Sequence, residues 1–119
     1  MEKTGKDFWG PPIWTTIHIL GACFRPENAE AFKTMLRSLA EQLPCDYCAD
    51  NLRKKMRMIP PDKYLTNRHD AFYYTYLLHD LANQHISKHT GIVKISPPYE
   101  EVKAYYFQSL GDDCMECKV

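Results

Sequence analysis

Residues 45–56 read CDYCADNLRKKM, two cysteines three positions apart that continue directly into a helical pattern. Pro44 comes immediately before the pair, so the sequence places Cys45 and Cys48 at the N-terminus of a helix. The exposed N–H groups and the dipole of such an end favour a thiolate, the form of cysteine that attacks disulfides. The pattern therefore indicates a reactive dithiol, with metal binding and inert packing as the alternatives.

Helical patterns surround this pair on both sides, and strand signals are nearly absent. We predict five helices, which begin at Pro11 and Pro12, at Glu27 or Asn28, at Cys45, at Thr66 or Asn67, and at Tyr99. On the fourth helix, the inner side is predicted to be Phe72, Tyr73, Tyr76, Leu77 and Asp80. We expect an all-α four-helix bundle with a short fifth helix over residues 1–110, followed by a mobile tail over residues 111–119.

The bulk composition excludes some functional classes and leaves a single soluble domain. The 119 residues include 15 basic and 15 acidic ones, a balance that does not suggest nucleic-acid binding. No window approaches the ~18 apolar residues that a membrane span needs. The first residues lack the apolar region of a signal peptide. We therefore expect a cytoplasmic protein, in which cysteine pairs usually serve redox or metal chemistry.

A second CxxC, Cys114 and Cys117, lies in the polar tail. It is interpreted either as a flexible disulfide that carries electrons to the fixed pair, or as a pair of unimportant thiols. Both pairs together could bind zinc, but residues 49–113 separate them, far more than the about 15–20 residues of a zinc ribbon. We predict no metal site. Cys23, on an apolar helix face, is predicted to be a buried free thiol.

Two further stretches pair aromatic and polar residues at helical spacing: WGPPIWTTIH at 9–18 and HDLANQHISK at 79–88. Trp14 and His18 are four positions apart, as are His79 and Asn83. Tryptophan can stack on a flat ring, while histidine and asparagine can bond a sugar–phosphate chain. Each stretch alone is equally typical of core packing and of structural histidines.

Taken with the CxxC and with PYEEVKAYY at 98–106, these stretches resemble the Erv/ALR flavin-dependent sulfhydryl oxidases over residues 9–106. The resemblance implies a helical bundle around FAD. It implies that Cys48 is the flavin-proximal sulfur, that Cys45 is the outer sulfur, and that the tail pair is the shuttle. Trp14 would stack near the adenine. The implied cofactor contacts are Gly10, Trp14, His18, Cys48, His79, Asn83, Lys88 and Tyr106.

The implied activity is oxidation of protein dithiols through the tail cysteines Cys114 and Cys117, then Cys45 and Cys48, then FAD, to O2, which yields H2O2. Implied partners are protein dithiols, among them a thioredoxin-like or viral redox protein, and a second copy in a homodimer; no nucleic acid or membrane span is expected. The small size and cysteine tail resemble members encoded by large cytoplasmic DNA viruses, which implies the host cytoplasm. The alternatives are a non-enzymatic zinc module and a flavin-free dithiol relay.

The sequence departs from the family pattern at several positions. Asp80 stands where the family usually has asparagine, and the connector at 89–98 is longer than usual. The cysteines of the usual disulfide that holds the last helix are replaced by Tyr76 and Tyr99. We hypothesise that an aromatic contact between these two tyrosines replaces the covalent link.

Overall fold

The computed structural model describes residues 3–112 and 114, which form five α-helices. The helices are α1 (Lys6–Ala22), α2 (Ala29–Gln42), α3 (Asp46–Met58), α4 (Arg68–Thr90) and α5 (Tyr99–Leu110). Short 3-10 turns precede α2 and α4, at Pro26–Asn28 and Asp62–Tyr64. No strand occurs within the described residues, so the predicted all-α fold is confirmed. None of the described helices combines the length and apolar character that a bilayer crossing requires.

Helix α1 begins five residues before the predicted prolines, at Lys6, so that Pro11 and Pro12 lie inside it. The N–H groups of Phe8 and Trp9 bond the carbonyl of Gly5 at 2.9 and 3.1 Å, which closes the first turn. Each proline lacks the N–H that would bond the carbonyl four residues earlier. Those carbonyls belong to the exposed first turn, where water can bond them instead.

Helix α4 is the centre of the bundle, because α1, α3 and α5 all pack against it. At Gly21, α1 lies so close to α4 that a Cβ atom would be 2.7 Å from Cγ2 of Thr75. The buried side of α4 consists of Ala71, Phe72, Tyr74, Thr75, Leu78 and Asn83. Of the predicted inner side, only Phe72 is buried; Tyr73 is 39% exposed, and the other three residues (Tyr76, Leu77 and Asp80) are half-buried. Because other helices pack against several sides of α4, its sequence lacks the single apolar stripe from which an inner side is predicted.

The predicted contact between Tyr76 and Tyr99 is present, with ring centroids 5.2 Å apart and ring planes at 70°. The Tyr76 hydroxyl also donates to the carbonyl of Pro97 at 2.6 Å. These contacts fasten the start of α5, and the end of the preceding connector (residues 91–98), to α4. The connector has no regular structure, and α4 ends at Thr90, two residues into the stretch 89–98 that the sequence analysis assigned to the connector.

A disulfide joins Cys23, directly after α1, to Cys114, with 4.7 Å between their Cα atoms. Cys114 is 8% exposed. Two predictions are corrected here: Cys23 is not a free thiol, and Cys114 is bonded to Cys23 instead of Cys117. The bond brings together residues 91 positions apart, a proximity that follows from helix packing and not from local spacing. Cys117 and the rest of the predicted tail, residues 113 and 115–119, lie outside the described residues.

Candidate functional site

A cavity of about 620 Å³ lies between α1, α3, α4, α5 and the connector. It collects most of the predicted site residues: Gly10, Trp14, Cys48, His79, Asn83 and Tyr106. A second cavity of about 370 Å³ shares His79, Asn83 and Tyr106 with it and is also lined by His18. Four separate segments of the sequence thus meet around one space, whose size is typical of a small-molecule site.

Lys88 was also predicted to contact the cofactor, but it is exposed and lines neither cavity. It follows His79 by nine positions, which is two and a half turns of helix at about 3.6 residues per turn. Its side chain therefore leaves α4 on the side opposite His79. Asp80 also stays out of both cavities and accepts a hydrogen bond from Gln84 at 2.8 Å.

Trp14 and His79 form the aromatic wall of the larger cavity, with parallel rings 4.1 Å apart at an angle of 4°. Behind them lies His18, which is 3% exposed. His18 Nε2 is 2.9 Å from His79 Nδ1, and its Nδ1 is 2.9 Å from the Thr75 hydroxyl. The sequence allowed two interpretations of these histidines, as hydrogen-bonded structural residues or as ligand contacts. The structure is compatible with both, since the histidines are hydrogen-bonded to each other and also line the cavities.

The hydrogen bonds of this cluster assign a tautomer to each histidine. The Thr75 hydroxyl donates to the carbonyl of Phe72 at 2.6 Å, so it must accept from His18 Nδ1–H. Burial lowers the pKa of His18 to about 3 and that of His79 to about 4, so both rings are neutral at pH 7. His18 Nε2 then accepts from His79 Nδ1–H. The remaining nitrogen of His79, Nε2, is left as a hydrogen-bond acceptor at the cavity wall.

Cys45 and Cys48 differ in position and in acidity. Cys45 caps α3, and its Sγ accepts a hydrogen bond from the Cys48 backbone N–H at 3.1 Å. A hydrogen bond from the Cys48 thiol, together with backbone N–H groups and Lys6, lowers the pKa of Cys45. Burial and the same contact raise the pKa of Cys48 to about 11. The thiolate predicted at this helix start is thus favoured at Cys45 alone, while Cys48 lines the cavity as a thiol.

Sequence reasoning missed a hydrogen-bonded cluster beside the dithiol. Tyr47, between the two cysteines, places its hydroxyl 2.6 Å from His85 Nε2 and 3.3 Å from His89 Nδ1. Burial, and then the charge of Lys55, lowers the pKa of His85, which favours the neutral ring that accepts from Tyr47. This cluster ties the CxxC turn to the last turns of α4. The four-residue spacing of His85 and His89 was the available signal.

Asn83 has a second role besides lining both cavities. It is 5% exposed, and its Nδ2 donates to the hydroxyl of Ser96 at 2.9 Å. The amide therefore holds the connector against α4, where the connector forms one wall of the larger cavity. This bond stabilises the fold, because a buried amide without a hydrogen-bond partner would raise the free energy of the folded state.

The chemistry of the cavity lining suits a molecule with a flat ring system and an anionic chain. Trp14, His79 and Tyr106 offer ring faces, and Cys48 places a sulfur in the same wall. Three lysines, Lys3, Lys6 and Lys94, also line the cavity, against one carboxylate, that of Asp7. FAD has both a flat redox ring and a diphosphate, so the residues present fit it.

Comparison with protein families places the chain among known proteins. The Erv1 / Alr family model matches residues 11–106, most of the 119-residue chain. The matched span contains the dithiol, the Trp14–His18–His79 cluster, Asn83 and Tyr106. No curated protein and no solved structure was found to match the chain.

Proposed function

The chain belongs to the Erv1 / Alr family, a family of sulfhydryl oxidases, and on that premise we propose that it is an FAD-dependent thiol oxidase that forms disulfides in substrate proteins. One observation carries the proposal. Cys48 lies in the wall of a cavity with aromatic faces, while its partner Cys45 caps α3 outside the lining of that cavity. A dithiol arranged in this way can exchange with outside thiols through one sulfur and face a bound redox ring with the other.

FAD bound in this cavity would accept two electrons beside Cys48 and transfer them to O2, which yields H2O2. Trp14 offers its ring for stacking, and His79 offers an acceptor nitrogen. The other residues proposed to contact FAD are Gly10, His18, Cys48, Asn83 and Tyr106.

The protein's own chemistry is thiol–disulfide exchange at Cys45 and Cys48. A substrate thiolate attacks Cys45 Sγ of the oxidised pair, forms a mixed disulfide and releases Cys48 as a thiolate. The second substrate thiolate attacks the substrate sulfur of that mixed disulfide, which closes the substrate disulfide and releases Cys45. Two electrons and two thiol protons have then left the substrate.

Cys45 is the sulfur attacked because an outside thiol can reach it, whereas Cys48 is part of the cavity wall. Cys48 is nevertheless an adequate leaving group in this step. Burial is the largest cause of its raised pKa, but the hydrogen bond with Cys45 and the charge of Cys45 also contribute, and both are absent in the mixed disulfide. Lys6 lowers the pKa of Cys48, so its charge favours the thiolate that is released.

We retain the proposal that Cys114 and Cys117 relay electrons to Cys45, with one added condition. Lys6, whose charge acts on Cys45, and Cys23, which holds Cys114, lie about 25 Å apart along α1 at a rise of about 1.5 Å per residue. Cys114 cannot reach Cys45 over that distance while it is bonded to Cys23. The bond must first open by exchange with a thiol, for instance that of the substrate.

The proposed partners are protein dithiols, including a thioredoxin-like or viral redox protein, with O2 as the final acceptor. We also propose a homodimer and a cytoplasmic setting, which is the host cytoplasm for a virus-encoded member. These proposals rest on the family and on the reactive dithiol. They can be checked by trapping mixed disulfides on a Cys48→Ser variant and by measuring the molar mass in solution.

The visible spectrum of the purified protein, together with oxygen uptake on addition of a dithiol, tests the function. A flavin band and thiol-dependent uptake that Cys48→Ser abolishes would support the oxidase. A colourless protein that takes up no added FAD would overturn it, and bound zinc would then select the zinc module. That alternative needs Cys114 beside Cys45 and Cys48, whereas the structure bonds Cys114 to Cys23. A flavin-free relay would exchange disulfides but consume no oxygen.

A further inference from the structure

The connector, residues 91–98, is fastened to α4 at three successive points. The Ser87 hydroxyl accepts from the backbone N–H of Lys94 at 2.7 Å and lies 3.2 Å from its carbonyl. Asn83 holds Ser96, and Tyr76 holds the carbonyl of Pro97. A segment without regular structure is thereby given a fixed backbone position beside the cavity.

This fixed backbone directs the side chain of Lys94 to the larger cavity, which Lys94 lines. Burial and then the charge of Lys94 lower the pKa of His79, so the ammonium is near the ring that stacks on Trp14. Within residues 3–112 and 114, no carboxylate forms an ion pair with Lys94. The ammonium is therefore available for a ligand's negative charge.

Lys6 also lines this cavity, but it lies near the dithiol. Its charge acts on Cys45 and Cys48. If a redox ring lies beside Cys48, the rest of the same molecule must extend from the dithiol toward Trp14 and His79. An anionic chain that follows the ring would then meet Lys94.

We propose that Lys94 binds the diphosphate of FAD, in place of the cofactor contact that the family resemblance gives to Lys88. This inference rests on the proposed function. Both lysines are exposed, but Ser87 holds the backbone of Lys94 beside the cavity that Lys94 lines, whereas Lys88 projects from the other side of α4. The diphosphate is the anionic part of FAD, and Lys94 is a cation that lines the cavity together with the aromatic rings of Trp14 and His79.

The test is FAD titration of the full-length, flavin-free protein, followed by flavin fluorescence, for the wild type and three variants. A charge-assisted hydrogen bond of typical strength predicts that Lys94→Gln raises the Kd for FAD by about 10- to 100-fold. Lys88→Gln is the matched control, with the same change in charge and volume on the exposed side of α4, and should leave the Kd unchanged. Lys94→Arg keeps the charge and should largely keep the affinity.

Salt provides a second readout that a merely structural role would not change. Because salt screens charge pairs at a partly exposed site, the wild-type Kd should rise with ionic strength more steeply than that of Lys94→Gln. Equal Kd values for Lys94→Gln and wild type, or a larger effect of Lys88→Gln, would overturn the inference. A loss of affinity in Lys94→Gln with an unchanged salt dependence would also overturn it. Failure of the wild type to bind FAD would instead refute the proposed function, so the two failures are distinguishable.

Discussion

The protein holds two pairs of cysteines in two different chemical situations. The first pair, Cys45 and Cys48, is an open dithiol at the start of α3, and its two thiols have pKa values shifted in opposite directions. The second pair, Cys23 and Cys114, is a closed disulfide between the end of α1 and the end of the described chain. The first pair is built for exchange at a cavity, while the second joins distant parts of the fold.

The difference shows that spacing along the chain determines the first pair and three-dimensional packing determines the second. Two intervening residues at a helix start suffice to bring Cys45 and Cys48 together, whatever the rest of the protein does. Cys23 and Cys114 meet because α1 and α5 both pack against α4. The same residue type therefore serves reactivity in one region and, we expect, stability in the other. The predictions below test this division, beginning with the largest expected effect.

Serine in place of a cysteine should abolish activity in the first pair and spare it in the second. Cys48→Ser removes the sulfur that faces the cavity, so we expect no oxygen uptake with any thiol, although FAD should still bind. Cys23→Ser makes the same atomic change directly after the C-terminal end of α1, away from the dithiol. This variant should keep oxygen uptake with a small dithiol. Steady-state uptake by both variants measures this. Equal loss of activity in both would show that the two pairs act as one.

Removal of the second pair should lower the free energy of unfolding. Loss of a native disulfide typically costs about 2–5 kcal/mol, so Cys23→Ser and Cys114→Ser should each lower Tm by roughly 10–20 °C. The double variant should be no less stable than either single one, because one bond is lost in all three. Thermal unfolding followed by circular dichroism measures this.

Peptide mapping without reduction supplies the control for the second prediction. A peptide pair that links Cys23 to Cys114 is expected in the oxidised protein. A Cys114–Cys117 link, with additive losses of stability in the single variants, would contradict the second pair as the structure has it.

The two thiols of the first pair should react at different rates with iodoacetamide. At pH 8, Cys45 is expected to react about tenfold faster than Cys48 or more, because the higher thiolate fraction outweighs the lower nucleophilicity of a more acidic thiol. The rate at Cys45 should level off at a lower pH than for an ordinary thiol, while the rate at Cys48 should keep rising toward its pKa of about 11. Mass spectrometry of the labelled peptides gives both rates, and equal rates would refute the division of roles.

The non-covalent fastening of α5 should contribute less than the disulfide does. Tyr99 has its ring centroid 5.0 Å from that of Tyr73 and 5.2 Å from that of Tyr76. We expect Tyr99→Ala to cost about 1–2 kcal/mol and to weaken flavin retention, since α5 carries Tyr106 into the cavity. Tyr99→Phe keeps the ring and serves as the control. Unchanged stability and flavin retention in Tyr99→Ala would show that this contact does not replace a covalent link.

The parts of the structure that the sequence predicted correctly depend on local rules. Pro44 and the helical pattern after it located the start of α3, with Cys45 as its cap. The four-residue spacing of Trp14 with His18, and of His79 with Asn83, put each pair on one side of its helix, the side that lines the cavities. Such features need no knowledge of the neighbouring helices.

The parts that the sequence did not predict depend on packing between distant segments. Tyr73 was assigned to the inner side of α4, although neighbours around that helix favour Tyr74 and Thr75 there. Lys88 is a different case, because its position nine residues after His79 on one helix already places it on the opposite side of α4. No local sequence pattern predicts that Lys94 lines the cavity or that Cys23 bonds Cys114. Each depends on how the segment after α4 packs against the earlier helices.

A single anaerobic reaction tests the central claim most directly. A dithiol is mixed with the FAD-loaded protein without oxygen, and the flavin absorption is followed for the wild type, Cys48→Ser and Cys23→Ser. We predict that the band bleaches in the wild type and in Cys23→Ser, stays in Cys48→Ser, and returns with the formation of H2O2 when air is admitted. A band that bleaches equally fast in Cys48→Ser would show that electrons reach the flavin without the cavity sulfur, which contradicts the account.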